Sequence, residues 1–418
     1  MISLNAYHEY KDNDNFLDIQ ANTMLFNTNN TVFAQKIVEK SHEFGGFGKY
    51  THKLGKHILS ASTGYNALFQ KANYQNINEI KDNLDRKYLF SNLSITHKKT
   101  RFEYGAMAEL RHYLTENKTF ILPELIVKYH FKQDLHLVEA KYKREINFPT
   151  ILNLNNIEYA NDFRNYYMTS ALDSNTEVLQ NIYELHYLFM DLYRGITLFG
   201  YSKYLKNKDI ITQNYNFTNN TNYITNQVAN GGFQWINYIN FSLNLFKIKQ
   251  KIEISANYNL IDRPFYRNGF LDKNDIKSSS VEFNILSNFK NKPYSYIAGI
   301  QLKNTTNNIQ NSGQKITLTE YIPKIDLTIN FTKRITGYFN HNYHIASSDG
   351  LENNFWELNY KIYYQKEKSK WNWYITAENF LHLKGNNALN SAERNTYFET
   401  QQIGRLAGFI GLGCIFEF

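Results

Sequence analysis

The stretch Phe233-Gln-Trp-Ile-Asn-Tyr-Ile-Asn-Phe-Ser-Leu-Asn-Leu245 decides the fold. Phe233, Trp235, Ile239, Phe241, Leu243 and Leu245 fall on one side of an extended chain, interrupted only by Asn237. Gln234, Asn240, Ser242 and Asn244 fall on the other. A period of two marks a strand, because successive side chains of a pleated backbone point to opposite faces. The same alternation recurs further on. Ile252, Ile254, Ala256, Tyr258 and Leu260 oppose Glu253, Ser255, Asn257 and Asn259. Tyr321, Pro323, Ile325, Leu327, Ile329 and Phe331 oppose Glu320, Lys324, Asp326, Thr328 and Asn330. Trp356, Leu358, Tyr360, Ile362 and Tyr364 oppose Glu357, Asn359, Lys361 and Gln365. At the end, Leu406, Gly408, Ile410, Leu412, Cys414, Phe416 and Phe418 share a face. A helical period shows only weakly, around 31–40 and 77–87.

Composition bounds the class. Of 418 residues 16% are aromatic, with only 5 Pro and 20 Gly, so the chain is neither disordered nor low-complexity. The single Cys414 excludes a disulfide framework and a cysteine zinc cage. Mean hydropathy is −0.54, a soluble-looking value that is blind to alternation. No run of 18 apolar residues exists, so no transmembrane helix is expected. The opening Met1-Ile2-Ser3-Leu4-Asn5-Ala6-Tyr7 has neither the basic start nor the apolar core of a secretory leader. That suits either a cytoplasmic protein or a chain whose leader lies upstream.

Connections alternate in length as the residues alternate in polarity. Short ones are expected near 11–15, 55–56, 98–100, 133, 191–195, 247–249, 291–292, 332–333 and 368–370. Long ones fall between them, near 28–41, 70–86, 115–119, 146–176, 207–222, 261–275, 304–317, 347–353 and 384–402. Together they imply about 19 antiparallel strands, short turns on one side and long loops on the other, as in outer-membrane barrels. A sandwich of that many one-sided strands would need a very large second sheet. A membrane barrel needs none, because lipid covers the outer face and closure satisfies the edges. The expected fold is therefore all-β, a large antiparallel transmembrane β-barrel over 1–418 in a Gram-negative outer membrane. Aromatics near strand ends read as an interfacial girdle: Tyr294, Tyr296, Trp356, Tyr364, Trp371, Trp373, Phe416 and Phe418. An odd count puts Met1 and Phe418 at opposite ends, whereas bacterial barrels have even counts, so missing first strands are expected.

Several segments resemble TonB-dependent receptors of the Bacteroidetes type. The ending Gly404-Arg405-Leu406-Ala407-Gly408-Phe409-Ile410-Gly411-Leu412-Gly413-Cys414-Ile415-Phe416-Glu417-Phe418 resembles their last strand, whose terminal Phe looks like the signal read by the barrel assembly machinery. Tyr142-Lys143-Arg144-Glu145-Ile146-Asn147-Phe148-Pro149 resembles the strand exit before a long extracellular loop. The Gly-Asn-Pro…Pro-Glu run usual after that loop is reduced here to Ser174-Asn175-Thr176-Glu177-Val178-Leu179, without either proline. Tyr201-Ser202-Lys203-Tyr204, leading to Asp209-Ile210-Ile211, is similar to the next strand, and Glu378-Asn379-Phe380-Leu381 resembles the segment before the last loop. The resemblance covers about 135–418, and more loosely the whole chain, and implies the barrel portion of a 22-stranded receptor that imports a bulky nutrient, a metal chelate or glycan. A TonB partner acting on a plug domain would drive it, yet neither plug nor TonB box is visible in this sequence. Outer-membrane lipid is the other expected partner.

No catalytic constellation stands out, and no enzyme activity or cofactor is expected. Gly45-Gly46-Phe47-Gly48-Lys49 lacks the spacing and the Ser/Thr of a phosphate loop. His341 and His344 fall on opposite faces of a strand and cannot share a metal. The excess of +8 charges is not gathered into a stripe interleaved with aromatics, so nucleic-acid binding is not expected. Glu139, Lys141 and Lys143 alternate with Val138, Ala140 and Tyr142, a charged stripe facing the lumen; Lys324 and Asp326 are placed there likewise. Such a stripe either hydrates the lumen or meets a plug or substrate. Two other functions remain open: a plug-free passive channel, and a structural or assembly barrel that carries partner proteins.

Overall fold

In the computed structural model, most of the described residues are in strands. It describes residues 1–20, 32–75, 79–99, 101–131, 135–154, 158–160, 165–170, 172–218, 221–287, 289, 292–348, 351–365, 369–382, 386–394, 397–405 and 408–416. The first seven strands are β1 (Ile2–Gln20), β2 (Val32–Leu54), β3 (His57–Gln75), β4 (Glu79–Lys98), β5 (Phe102–Tyr113), β6 (Lys118–Phe131) and β7 (His136–Asn147). A short helix α1 (Ile151–Leu154) and two short strands, β8 (Tyr159–Ala160) and β9 (Asn165–Tyr167), follow in the next connection. Then come β10 (Val178–Asp191), β11 (Ile196–Asn207), a hairpin of β12 (Asp209–Thr218) and β13 (Thr221–Asn230), β14 (Phe233–Leu245), β15 (Gln250–Arg267) and β16 (Phe270–Ser287). The chain continues through β17 (Tyr294–Ile309), β18 (Gln314–Asn330), β19 (Ile335–Ser348), β20 (Leu351–Gln365) and β21 (Trp371–Glu378). A separate hairpin of β22 (Asn386–Arg394) and β23 (Tyr397–Arg405) precedes β24 (Phe409–Phe416).

One sheet of 22 strands holds everything but that hairpin; setting aside β8, β9, β12 and β13 leaves a wall of 18 long strands. Each wall strand pairs antiparallel with the next. The expected all-β antiparallel fold is therefore observed. Connection counting overshoots by one, because the break placed at 11–15 lies inside β1. There Lys11 through Asn15 pair in unbroken register with Ser41 through Ile37. This run is polar on both faces and reads as a turn, but cross-strand ion pairs Lys40–Asp12 (3.6 Å) and Lys36–Asp14 (3.0 Å) continue the ladder. With an even wall, Ile2 and Phe416 both lie at the short-turn end, paired with Tyr50 and Trp371. The odd count behind the expectation of missing strands is thus not found.

The weak helical periods also give way to strand. Residues 32–40 and 79–87 belong to β2 and β4, because pairing through β3 supplies hydrogen bonds that an isolated helical turn would have to supply alone. Several expected long loops are continued hairpins. β15 and β16 pair as far as Arg267 and Phe270, closed by Asn268 (φ 49°) and Gly269 (φ 80°), the left-handed pair that a tight hairpin turn requires. Where both faces of a strand are polar, alternation fades while pairing persists.

The two faces of the wall differ as the sequence requires. Leu59, Leu93, Leu125, Tyr183, Ile239, Ile254, Leu302, Ile325, Ile362 and Leu412 are exposed on one face, Leu93 at 69% and Leu412 at 73%. On a water-soluble monomer so continuous an apolar surface would be far above the usual patch size of about 300–600 Å². The opposite face is polar and carries the ion pairs described next.

Candidate functional site: a charged lumen under a bridged mouth

The inner face of β5–β11 is a band of neutralised charge. Lys128 meets Glu139 at 2.7 Å, Lys141 meets Glu124 at 3.1 Å and Lys203 meets Glu184 at 3.3 Å. Lys143 is paired with Glu145, and Arg111 with Glu109. Five cations therefore face five carboxylates. The register sets two of these directly, Lys128 opposite Glu139 and Lys203 opposite Glu184; Lys141 reaches Glu124 diagonally, and Lys143 and Arg111 pair within their own strands. A second band crosses β16–β20. Lys324 pairs with Glu282, Lys303 lies 3.6 Å from Glu320, and Asn340 Nδ2 donates to Asp326. The five lumen candidates Glu139, Lys141, Lys143, Lys324 and Asp326 thus all share the face opposite the exposed apolar side chains, each with a partner.

His344 Nε2 donates to Glu357 Oε2 (3.1 Å) on the inner face, whereas His341 packs on the Tyr360 ring at 5.1 Å on the outer. Among the described residues no three His, Cys, Asp or Glu side chains gather to hold a metal.

The aromatic candidates occupy strand ends. Trp371 lies 4.8 Å from Phe416 and 6.3 Å from Trp373, with Tyr364 paired beside Trp373, all at the short-turn end. Tyr294 is exposed nearby, and the half-buried Tyr296 accepts a hydrogen bond from Gln250 Nε2 (2.6 Å). Trp356 sits at the other end, 4.6 Å from the Tyr343 ring. Phe418 lies outside the described residues.

The segment between β7 and β10 contains the feature that strand patterning misses. It folds inward and bridges the mouth. On one side Ile151 and Leu154 of α1 are buried with Ile37, Ala72, Tyr74 and Leu84, inner-face residues of β2, β3 and β4. Gln35 pairs with both the N–H and the C=O of Ala160, and Gln70 Oε1 accepts from the Ile151 N–H (3.3 Å). Arg86, on β4, donates to Pro149 O (3.3 Å), Ser174 O (3.2 Å) and Glu116 Oε1 (2.9 Å), and lies over the Phe148 ring at 4.6 Å.

On the other side, β9 joins β13 in parallel, Tyr166 opposite Tyr223. β13 pairs with β12, and β12 with the end of β15 through Asn214↔Tyr266 and Tyr215↔Arg267. Tyr215 and Ile224 are buried against Phe265 and Ile309 of the inner wall. Asn226 adds a donor to Asn153 O at 2.9 Å and accepts from Ser170 Oγ at 3.0 Å. The strand path β15–β12–β13–β9–β8 thus ends at β2 and β3. In wall order β3 is third and β15 eleventh of the 18, so the path joins strands eight places apart in the sheet.

Burial pushes the Tyr159 phenol up, helped by neighbouring Tyr167 and Tyr74. Tyr166 is pushed up to about 12 by burial and then by Glu158, to which it donates at 3.2 Å. Both bridge tyrosines are therefore neutral and able to donate at ordinary pH.

No family model matches the chain, and no curated protein does. Solved structures do. The chain is similar to OmpT (in-vitro folded), an outer membrane protein of Vibrio cholerae: 12% identity, 88% of this chain against 99% of that one, TM-score 0.34. It is also similar to a bacterial polysaccharide outer membrane secretin, with 9% identity, 78% of this chain against 91% of that one, and TM-score 0.28. Likenesses this distant do not bear on function, and the fold rests on the strand pairing itself.

The sequence signals for the bridge were present but dispersed. Ile151 and Leu154 are three apart after Pro149 and Thr150, a helix-start pattern, and Gly231-Gly232 breaks a strand run with φ of 88° and 92°.

Proposed function

We propose that the chain is the barrel of an outer-membrane conduit for a polar solute, its exposed apolar face in hydrocarbon and its ion-paired face lining the passage. The single observation that carries this reading is the opposition of those two faces along the whole 18-strand wall. In it, Tyr294, Tyr296, Trp356, Tyr364, Trp371, Trp373 and Phe416 form the interfacial girdle. Following the resemblance, the conduit is the barrel portion of a TonB-dependent receptor for a bulky nutrient such as a metal chelate or glycan. A plug encoded outside this chain would engage TonB.

A second reading, a passive channel, has its own support. The mouth is already spanned by the chain's own α1, β8 and β9 together with the β12–β13 hairpin, and the lumen charges neutralise one another rather than awaiting a plug. Liposome swelling with the purified chain and a small sugar separates the two. A passive channel swells the vesicles without any energy source. A receptor barrel leaves them unswollen, and uptake in cells then stops when TonB is deleted. A chain that stays a compact monomer in detergent-free buffer refutes both.

A further inference from the structure

We propose that the outer face of β2–β6 binds an anionic diacyl phospholipid from the turn-side leaflet, acyl chains in an apolar trough and phosphate at the adjoining basic turns. The inference rests on the membrane reading above and adds a specific ligand to it. Register aligns three outer-face rows. Tyr50, Ala61, Leu93, Ala108 and Pro123 form one; His52, Leu59, Ile95, Ala106 and Leu125 form the next towards the turns. Ala61, Ala106 and Ala108 leave the sheet bare between larger neighbours, making a trough of about 800 Å³. That lies within the range of about 300–1,000 Å³ usual for small-molecule sites.

The third row, nearest the turns, changes character. His57 lies 4.5 Å from His97, whose ring stacks on Tyr104 at 5.0 Å. The Nδ1 atoms of both histidines are covered from solvent without a hydrogen-bond partner. Just beyond, 52–57 and 97–103 carry Lys53, Lys56, Lys98, Lys99 and Arg101 against one carboxylate, Glu103, which Lys98 takes at 3.4 Å. The Lys98 N–H to Lys56 O bond (3.3 Å) brings the two turns together. Lumen cations pair with carboxylates of their own or the adjoining strand; here Lys53 and Lys98 face inward by register, while Lys56, Lys99 and Arg101 have no ion pair among the described residues. Clustered Lys and Arg beside a membrane element attract anionic headgroups, and the adjacent apolar trough selects a lipid over free phosphate.

The test is native mass spectrometry of the delipidated full chain in detergent. It is titrated separately with dimyristoyl phosphatidylglycerol, dimyristoyl phosphatidylcholine and sodium phosphate. Phosphatidylglycerol is expected to bind in preference to both others. The triple change Lys56→Gln, Lys99→Gln and Arg101→Gln should weaken it at least about tenfold. Ala106→Trp, which fills the trough, should weaken it comparably, while Ala256→Trp elsewhere on the outer face should not. Each variant is first checked for insertion into liposomes, and Ala108→Leu replaces Ala106→Trp if the latter does not insert. Equal binding of the two lipids, or full binding by the inserted trough variant, overturns the proposal while leaving the membrane reading intact. Failure of the unmodified chain to insert overturns both.

Discussion

Arg86→Met should detach the mouth bridge without unfolding the wall. The guanidinium is enclosed: the side chains of Arg86 and Glu116 are 8% and 1% exposed, 2.9 Å apart. Removing one partner of such a pair strands a buried carboxylate, at about 3–5 kcal/mol. The carbonyls of Pro149 and Ser174 lose donors as well, each bond to a charged group contributing about 1.5–3 kcal/mol. These losses share one side chain and do not add in full, so about 5 kcal/mol is the working figure. That is comparable to the local opening energy of a surface segment and well below what unpairing β4 from both neighbours would need.

Two assays read the result. In planar bilayers the variant should conduct more than the parent, and limited proteolysis should cut within the bridge while the wall resists. Arg86→Met combined with Glu116→Leu removes both charges and should recover most of the protection, since an apolar replacement of a whole buried pair is often neutral. Parent-like conductance and parent-like proteolysis in the single variant would refute the assigned role of Arg86. So would a double variant as loose as the single one.

Gln35→Ala leaves the Ala160 N–H and C=O without their side-chain partner, so hydrogen exchange at that amide should accelerate by an amount equivalent to about 1–3 kcal/mol. Raised phenol pKa values in Tyr159 and Tyr166 mean that the bridge favours the protonated form. Their support is complete below the ordinary value of 10.0 and is lost as pH rises above it, so proteolytic protection should fall above pH 10.0 and stay flat around neutrality. Gly232→Val puts a branched side chain at φ 92° with its Cβ 3.1 Å from Pro264 Cδ. It should lower the stability of the β13–β14 bend by about 1–3 kcal/mol, seen as a lower thermal midpoint. Lys324→Met leaves Glu282 without its cation, and reversal potentials in a salt gradient should shift towards cation selectivity.

The wall was legible because its two faces differ in polarity residue by residue along each strand. Trp356 to Tyr364 and Ile252 to Leu260 carry their facing in the sequence alone. The common facing of the charged candidates was legible for the same reason, as Glu139 and Lys141 show. What alternation could not indicate lies where both faces of the chain are polar or the chain leaves the wall. At Lys11–Asn15 both faces are polar and pairing is held by ion pairs, so the sequence looks like a turn although the strand runs on. The bridge was hidden more deeply. Gln35, Gln70 and Arg86 are single polar residues on three different strands, and only the inward fold of 148–177 gives them a common purpose.

The central claim, that lipid chains cover the outer face, can be measured on the protein's own fluorescence. Its four tryptophans, Trp235, Trp356, Trp371 and Trp373, are all exposed there, the last three near strand ends. In liposomes of phospholipid brominated along the acyl chains, their emission should be strongly quenched, most by bromines near the headgroup, while aqueous acrylamide quenches little. Efficient acrylamide quenching with no effect of the bromines would contradict the account.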